Sequence, residues 1–219
     1  MNDPQPHPRA EPPVACWIAG HALVEAPLSQ LAALRDETGP PGSPPLPPRF
    51  LRHADEHTVV GMHAVLRALV ARGGGVADIA GHAVVSASCQ IGRLSAARTL
   101  ANLATGGGLS VSPHVVPQCS LHSVAGAVSV ALGMHGPHLG VGGGAGAFAE
   151  GLLAAATLVQ AGAAAGGPPC VWLVFTEWVV EPEIDAQGKH LGDPVCRALA
   201  LAIEREPSGD GSAGAGSGG

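Results

Sequence analysis

The sequence predicts an α/β fold, in which helices cover the faces of a sheet. Short runs of strand character alternate along the chain with longer segments of helical character. The predicted strands are 14–20, 83–88, 138–141 and 170–180, and the predicted helices are 54–71, 91–105, 120–133 and 145–160. Strands that are separated by helices favour this fold class over an all-helical or all-strand protein.

The first two strand-helix pairs have ordinary signals. VACWIAG (14–20) is an apolar run that ends at a glycine, and AVVSAS (83–88) is rich in small and β-branched residues. Apolar residues in 54–71 recur at the spacing of an amphipathic helix. Asp55 and Glu56 at its start match the helix dipole, and glycines follow its end. The helix at 91–105 also ends at a glycine.

The remaining elements are unusually apolar. The helices at 120–133 and 145–160 carry apolar residues over most of their surface, which predicts that both are buried. CVWLVFTEWVV (170–180) is the strongest strand signal in the chain. The segment 195–204 alternates well enough to favour a final strand, although its alanines and leucines leave a helix open.

Composition sets the domain organisation. With 219 residues, 46% of them hydrophobic, the chain is long enough for one well-packed domain. Proline- and glycine-rich stretches predict a disordered arm at 1–13, a stiff extended linker at 39–48 and a flexible tail at 207–219. The folded domain is therefore expected to occupy 14–206.

Charge and aromatic content exclude several function classes. The net charge is −6, the eleven Lys and Arg residues are scattered, and only 3% of residues are aromatic, so nucleic acid is not an expected partner. The sequence has no apolar run of about 18 residues and no signal-peptide layout, which predicts a cytoplasmic protein without a membrane partner. Five widely spaced cysteines suit reduced, buried thiols.

Motifs for cofactors and metals are weak. Gly140, Gly142 and Ala145 fit the spacing of a dinucleotide-binding turn, but Gly136 and Pro137 break the strand that such a turn requires. No cofactor is therefore expected. Cys119 and His122 supply only two possible zinc ligands, so no metal is expected. The histidines at positions 53 and 57 are interpreted as surface or capping residues, and Glu177 could equally face a pocket or lie solvated at a sheet edge.

Nucleophilic chemistry has one local candidate. Cys119 lies three residues before His122, so the two side chains would share a face if both were helical. A buried thiol beside a core histidine is the simpler interpretation.

One block of the sequence carries a family resemblance. Residues 112–162 resemble the N-terminal half of β-ketoacyl synthases, and more closely the short, chain-length-factor-like members of that family. The block contains an S-P loop at 112–113, an A-G helix that runs into VALGMHGP, and a glycine-rich turn before an apolar helix. Ser120 and His122 match the family's S-x-H helix, and Phe148 precedes A-x-G. Matching the G-P pair at 136–137 places the family's nucleophilic cysteine at Ala145.

The resemblance implies a thiolase-like half-fold with a mixed sheet and buried helices packed on it. It also implies a catalytically silent protein, because Ala145 has no nucleophile and only His190 lies beyond residue 150. Such a protein would assist a condensing enzyme in polyketide or fatty-acid-type biosynthesis. The alternative is an acyl-thioester hydrolase or acyltransferase that uses Cys119 or Ser120 with His122.

The resemblance also suggests where partners and ligands would bind. A half-fold with two apolar helices should expose a hydrophobic patch unless a ketosynthase subunit or a second copy covers it. The strand residues His138, Leu139 and Val141 are the predicted interface, and an acyl carrier protein would be reached through the partner. The predicted ligand-binding residues lie in and after the glycine turn: Gly142, Gly143, Gly144 and Phe148.

Overall fold

The computed structural model describes residues 16–73 and 79–205, so the predicted arm at 1–13 and tail at 207–219 lie outside the described residues. Five strands and six α-helices occur in these ranges. In chain order they are β1 (Cys16–Pro27), α1 (Leu31–Asp36), α2 (Glu56–Arg72), β2 (Ala83–Cys89), α3 (Arg93–Gly106), α4 (Val115–Gln118), α5 (Ser123–Leu132), β3 (His138–Gly143), α6 (Ala147–Ala165), β4 (Cys170–Trp178) and β5 (Val195–Arg205).

The strands form one mixed sheet in the order β1-β5-β4-β2-β3. Strand β2 is parallel to both β3 and β4, whereas β5 is antiparallel to β4 and to β1. The predicted α/β class with a mixed sheet is confirmed, and 195–204 is a strand rather than a helix. Strands β1 and β3 form the two edges of the sheet.

Strand β1 is longer than the sequence pattern predicts. The pattern ends at Gly20, but the strand continues to Pro27 through an irregularity in its pairing with β5 between Ile18 and Gly20. A Cβ atom added at Gly20 would lie 2.8 Å from the Cβ of Arg72. Glycine therefore lets the bulged strand approach α2 closely, and it does not end the strand.

Helix α2 covers one face of the sheet together with α1 and α5. Thirteen of the seventeen residues of α2 are buried, among them Glu56 and His57 in its first turn, and Asp55 at its N-cap is buried as well. The amphipathic pattern predicted the helix correctly but not its burial, and the prediction of His57 as a surface or capping histidine is wrong. A Cβ atom at Gly61 would lie 2.9 Å from Val124 of α5, so this glycine sets the close packing of the two helices.

Helix α6 lies on the opposite face of the sheet. Gly151 faces Ala87 of β2 so closely that a Cβ atom would overlap that alanine. The outward face of α6 exposes Phe148, Leu152 and Leu153. The prediction that α6 is buried is therefore wrong for one side of the helix, and α5 likewise leaves Val130 exposed.

The proline-rich stretch 39–48 is not the stiff extended linker that its composition predicts. It forms a turn in which the backbone N–H of Ser43 donates to the carbonyl of Pro40. The N–H of Leu46 donates to the carbonyl of Thr38, and the Leu46 side chain is buried in the core. The prolines limit the conformations of the unfolded segment while Leu46 anchors it to the domain.

Among the described helices, none is both long enough and apolar enough to cross a membrane.

Candidate functional site

A glycine turn joins the edge strand β3 to helix α6. Gly142 and Gly143 end the strand with φ angles of 90° and 111°, which favour glycine. A Cβ atom at Gly142 would also lie 2.6 Å from the Cβ of Ala147. The turn thus needs glycine for its backbone conformation and for the close approach of the helix start.

Ala145 lies in this turn and its side chain is exposed. Helix α6 begins at Ala147, two residues later than predicted, and the Ala147 N–H donates to the carbonyl of Gly144 at 3.0 Å. Ala145 therefore precedes the first helical turn. Its methyl group supplies no nucleophile, acid or base to this part of the molecule.

A cleft of about 250 Å³ opens beside the start of α6. Phe148 and Phe175 form one wall with their rings 5.4 Å apart in an edge-to-face arrangement. Glu177 and Arg197 form the polar end, where the Arg197 Nε donates to Glu177 Oε1 at 2.6 Å. The two interpretations of Glu177 are thus decided: it lies on the interior strand β4, half-buried, and faces this cleft.

Strand β3 has no neighbour on one of its sides among the strands that the structure describes. The Val84 N–H donates to the carbonyl of Pro137, so the odd-numbered residues of β3 bond to β2 and the even-numbered ones face away. The outward backbone groups belong to His138, Gly140 and Gly142. Of the three residues predicted as the interface, His138 presents its backbone at this edge, whereas the backbones of Leu139 and Val141 bond to β2.

Cys119, Ser120 and His122 do not form a reactive group. Cys119 follows α4 and Ser123 begins α5, so Cys119 and His122 do not lie on one helix as the pattern suggested. The Ser120 hydroxyl donates to the carbonyl of Pro117, and the ring of His122 lies 5.0 Å from that of His138. Within the described ranges, no hydrogen bond joins these three side chains.

The environment of Cys119 also opposes nucleophilic chemistry. Its side chain packs against the backbone of Gly92 at the start of α3. Burial raises the pKa of the Cys119 thiol, and the charge of Asp55 adds to the rise, whereas a hydrogen bond with Ser95 offsets only part of it. A raised pKa keeps the thiol protonated and poorly nucleophilic near neutral pH.

The sequence analysis did not predict a series of hydrogen-bonded polar side chains that is buried beneath α2. His57 Nδ1 lies 3.0 Å from Thr176 Oγ1, and the Thr176 hydroxyl donates to Ser88 Oγ at 2.8 Å. The His57 ring also meets Trp178 edge-on at 5.6 Å. Burial lowers the pKa of His57 to about 3, so this histidine is neutral at physiological pH.

Sequence spacing could not reveal these contacts, because Ser88, Thr176 and Trp178 come from strands that follow much later in the chain. The described residues contain no group of three or more His, Cys, Asp or Glu side chains that could hold a metal ion.

Comparisons with known proteins identify the fold. A chain of the AntDE:AntF complex, a type II polyketide synthase acyl-carrier protein with its ketosynthase, matches with a TM-score of 0.63 and 16% identity over 89% of this chain. A chain of the ketosynthase ApeO with its chain length factor ApeC, from Xenorhabdus doucetiae, matches with a TM-score of 0.57 and 21% identity over 90% of this chain. The ishigamide ketosynthase/chain length factor matches with a TM-score of 0.59 and 17% identity over 89% of this chain.

The chain therefore has the thiolase-like fold of ketosynthases and chain length factors. It spans 63% of the matched chain in the first and third structures and 81% in the second. No family model and no curated protein matches the sequence.

Proposed function

We propose that this chain is a catalytically silent, chain-length-factor-like subunit that assists a ketosynthase in polyketide or fatty-acid-type biosynthesis. The observation that carries the proposal is the glycine turn between β3 and α6, where Ala145 occupies the position that the sequence resemblance gives to the family's nucleophilic cysteine. A condensing enzyme that lacks its attacking group loses most of its rate enhancement. We place the subunit in the cytoplasm, as its composition suggests.

Two surfaces support a partner. The edge strand β3 offers unpaired backbone groups at His138, Gly140 and Gly142, and strand pairing across an edge is a common mode of association. The outward side of α6 adds exposed apolar side chains, led by Leu153 at 70% exposure. Exposed apolar patches of this kind mark interaction sites. A ketosynthase subunit is the proposed occupant, and a second copy is the alternative.

Solved relatives of this fold supply the partner class. The ApeO structure is described as a ketosynthase in complex with its chain length factor, and the AntDE:AntF structure adds an acyl-carrier protein. By analogy, we expect an acyl carrier to reach this subunit through the ketosynthase. The many acidic residues of the chain disfavour direct docking of an acidic carrier.

Co-expression with a ketosynthase from the same host tests the proposal. We expect the two chains to co-elute as one complex, and we expect the complex, but not this chain alone, to condense acyl and malonyl thioesters. A stable lone chain that binds no ketosynthase of its host would contradict the partner role. Condensation or thioester hydrolysis by the purified lone chain contradicts the silent role.

The edge variant His138→Pro locates the interface. Proline removes an outward N–H while leaving the bonds from β3 to β2 intact, because His138 faces away from β2. We expect at least about a tenfold loss of affinity for the ketosynthase. His190→Ala, in the loop before β5, is the histidine control and should bind the ketosynthase normally.

A further inference from the structure

We propose that the cavity between the first turns of α2 and α5 binds an uncharged, carbonyl-bearing small molecule with an apolar body, its carbonyl against Asp55 and Thr58. The cavity has a volume of about 400 Å³, within the range of small-molecule sites. None of the residues of the glycine turn lines it. The inference therefore stands independently of the proposed function.

The walls of the cavity are suited to an apolar body. Phe50 and Leu51 from the segment before α2, Pro117 from α4 and Ala127 from α5 line it. These side chains form a slot that an alkyl chain of moderate length can fill. Burial of each methylene group there adds to the affinity.

The polar end of the cavity is built from the two helix starts. Asp55 is only 3% exposed, and one of its carboxyl oxygens, Oδ1, accepts the backbone N–H of His57 at 2.9 Å. The other oxygen, Oδ2, is buried and has no hydrogen-bond partner. Thr58 Oγ1 lies 3.3 Å from Ser123 Oγ, which joins the two helices at the same end. A ligand that bonds to a buried, unpaired polar atom removes the cost of leaving it unpaired.

The charge of the lining selects an uncharged ligand. The lining contains His53 and His122 but no Lys or Arg residue, so a carboxylate or phosphate would find no permanently charged cation there. The positive ends of α2 and α5 both point toward the cavity, which disfavours an ammonium group. Burial raises the pKa of Asp55 well above its usual value, and the charge of Glu56 adds to the rise. A raised pKa favours the protonated carboxyl, whose O–H can donate a hydrogen bond to a carbonyl oxygen.

Three probes of equal chain length test the head group. Octanamide, octanoate and octylamine are titrated separately into the purified full chain near neutral pH by calorimetry, with ligand-observed NMR as a second readout. We expect octanamide to bind at least about tenfold more tightly than either charged probe. Absence of octanamide binding overturns the proposal, and so does a charged probe that binds equally well or better.

Two variants locate the binding site. Ala127→Leu fills the slot and should weaken octanamide binding at least about tenfold, while Ala104→Leu at an exposed position of α3 should leave it unchanged. Thr58→Val keeps the side-chain volume but removes the hydroxyl, and should weaken binding about fivefold. Circular dichroism confirms folding of each variant. Full affinity in both Ala127→Leu and Thr58→Val would show that the probe binds elsewhere and overturn the assignment.

These assays contain no ketosynthase, so failure to find a partner and failure to bind octanamide are separate results.

Discussion

The two faces of the sheet differ in how completely they are covered. On one face, α2 is enclosed by the sheet, α1 and α5, and side chains such as Met62 and Leu66 are fully buried. On the other face, α6 buries Ala155 and Val159 but leaves Leu152 and Leu153 exposed. The buried apolar side chains of the enclosed face stabilise the fold, whereas the open face retains apolar surface that is available to a partner.

Truncating one leucine on each face should give the largest contrast. Leu66→Ala removes a fully buried side chain and should lower the free energy of unfolding by about 2–5 kcal/mol. Leu153→Ala on the open face should change it by no more than about 0.5 kcal/mol, because that side chain is already largely in water. Urea unfolding followed by circular dichroism measures both. Equal losses would mean that the two faces are equally important to the fold.

His57 on the enclosed face should make the free energy of unfolding depend on pH. The pKa of His57 is lowered from 6.5 to about 3 in the folded protein, so its contribution to stability is present above about pH 6.5 and is lost as the pH falls toward 3. Relative to His57→Gln, the natural chain should lose about 1.6 kcal/mol between about pH 6.5 and 5, because the histidine takes up a proton in the unfolded chain over this window but not in the folded one.

The variant comparison is needed because Asp55 has the opposite dependence. Its raised pKa gives a contribution that is present at low pH and is lost as the pH rises. The difference between the natural chain and His57→Gln isolates the histidine. Parallel pH profiles for the two proteins would contradict a buried, neutral His57.

The smallest effect is expected at the polar rim of the open face. Arg197 bonds to Glu177 and lies 3.9 Å from Glu25, but it remains partly exposed. Arg197→Met should change the free energy of unfolding by less than about 1 kcal/mol, as exposed ion pairs usually do. The change should shrink further in about 1 M NaCl, which screens such pairs. A large, salt-insensitive loss would show that this rim is already enclosed in the lone chain.

The secondary structure was largely predictable because each element has a local signal. Asp55 and the glycine after Arg72 mark the ends of α2, and the β-branched and aromatic residues of 170–180 mark β4. The predicted end of β1 was wrong at Gly20, because that glycine allows close packing rather than ending the strand. The predicted start of α6 was wrong at Ala145, because a turn precedes the helix.

The exposure of the helices was harder to predict from sequence. Periodicity cannot show that most of the surface of α2 is covered, since its neighbours are contributed by distant segments. An apolar sequence likewise cannot show which side of α6 stays uncovered. The ion pair of Glu56 with Arg35 and the bond from His57 to Thr176 join residues whose separations carry no periodic signal. The buried polar end of the cavity between α2 and α5 was missed for the same reason.

The glycine content of β3 has a consequence for how the lone chain behaves in solution. Three of the six residues in His138–Gly143 are glycine, so the unpaired edge offers few side chains for cross-strand packing. An unrelated strand that pairs with this edge gains backbone hydrogen bonds but few side-chain contacts. This lowers the tendency toward amyloid-like stacking. A partner that also engages the apolar side of α6 would stabilise the pairing where a random strand would not.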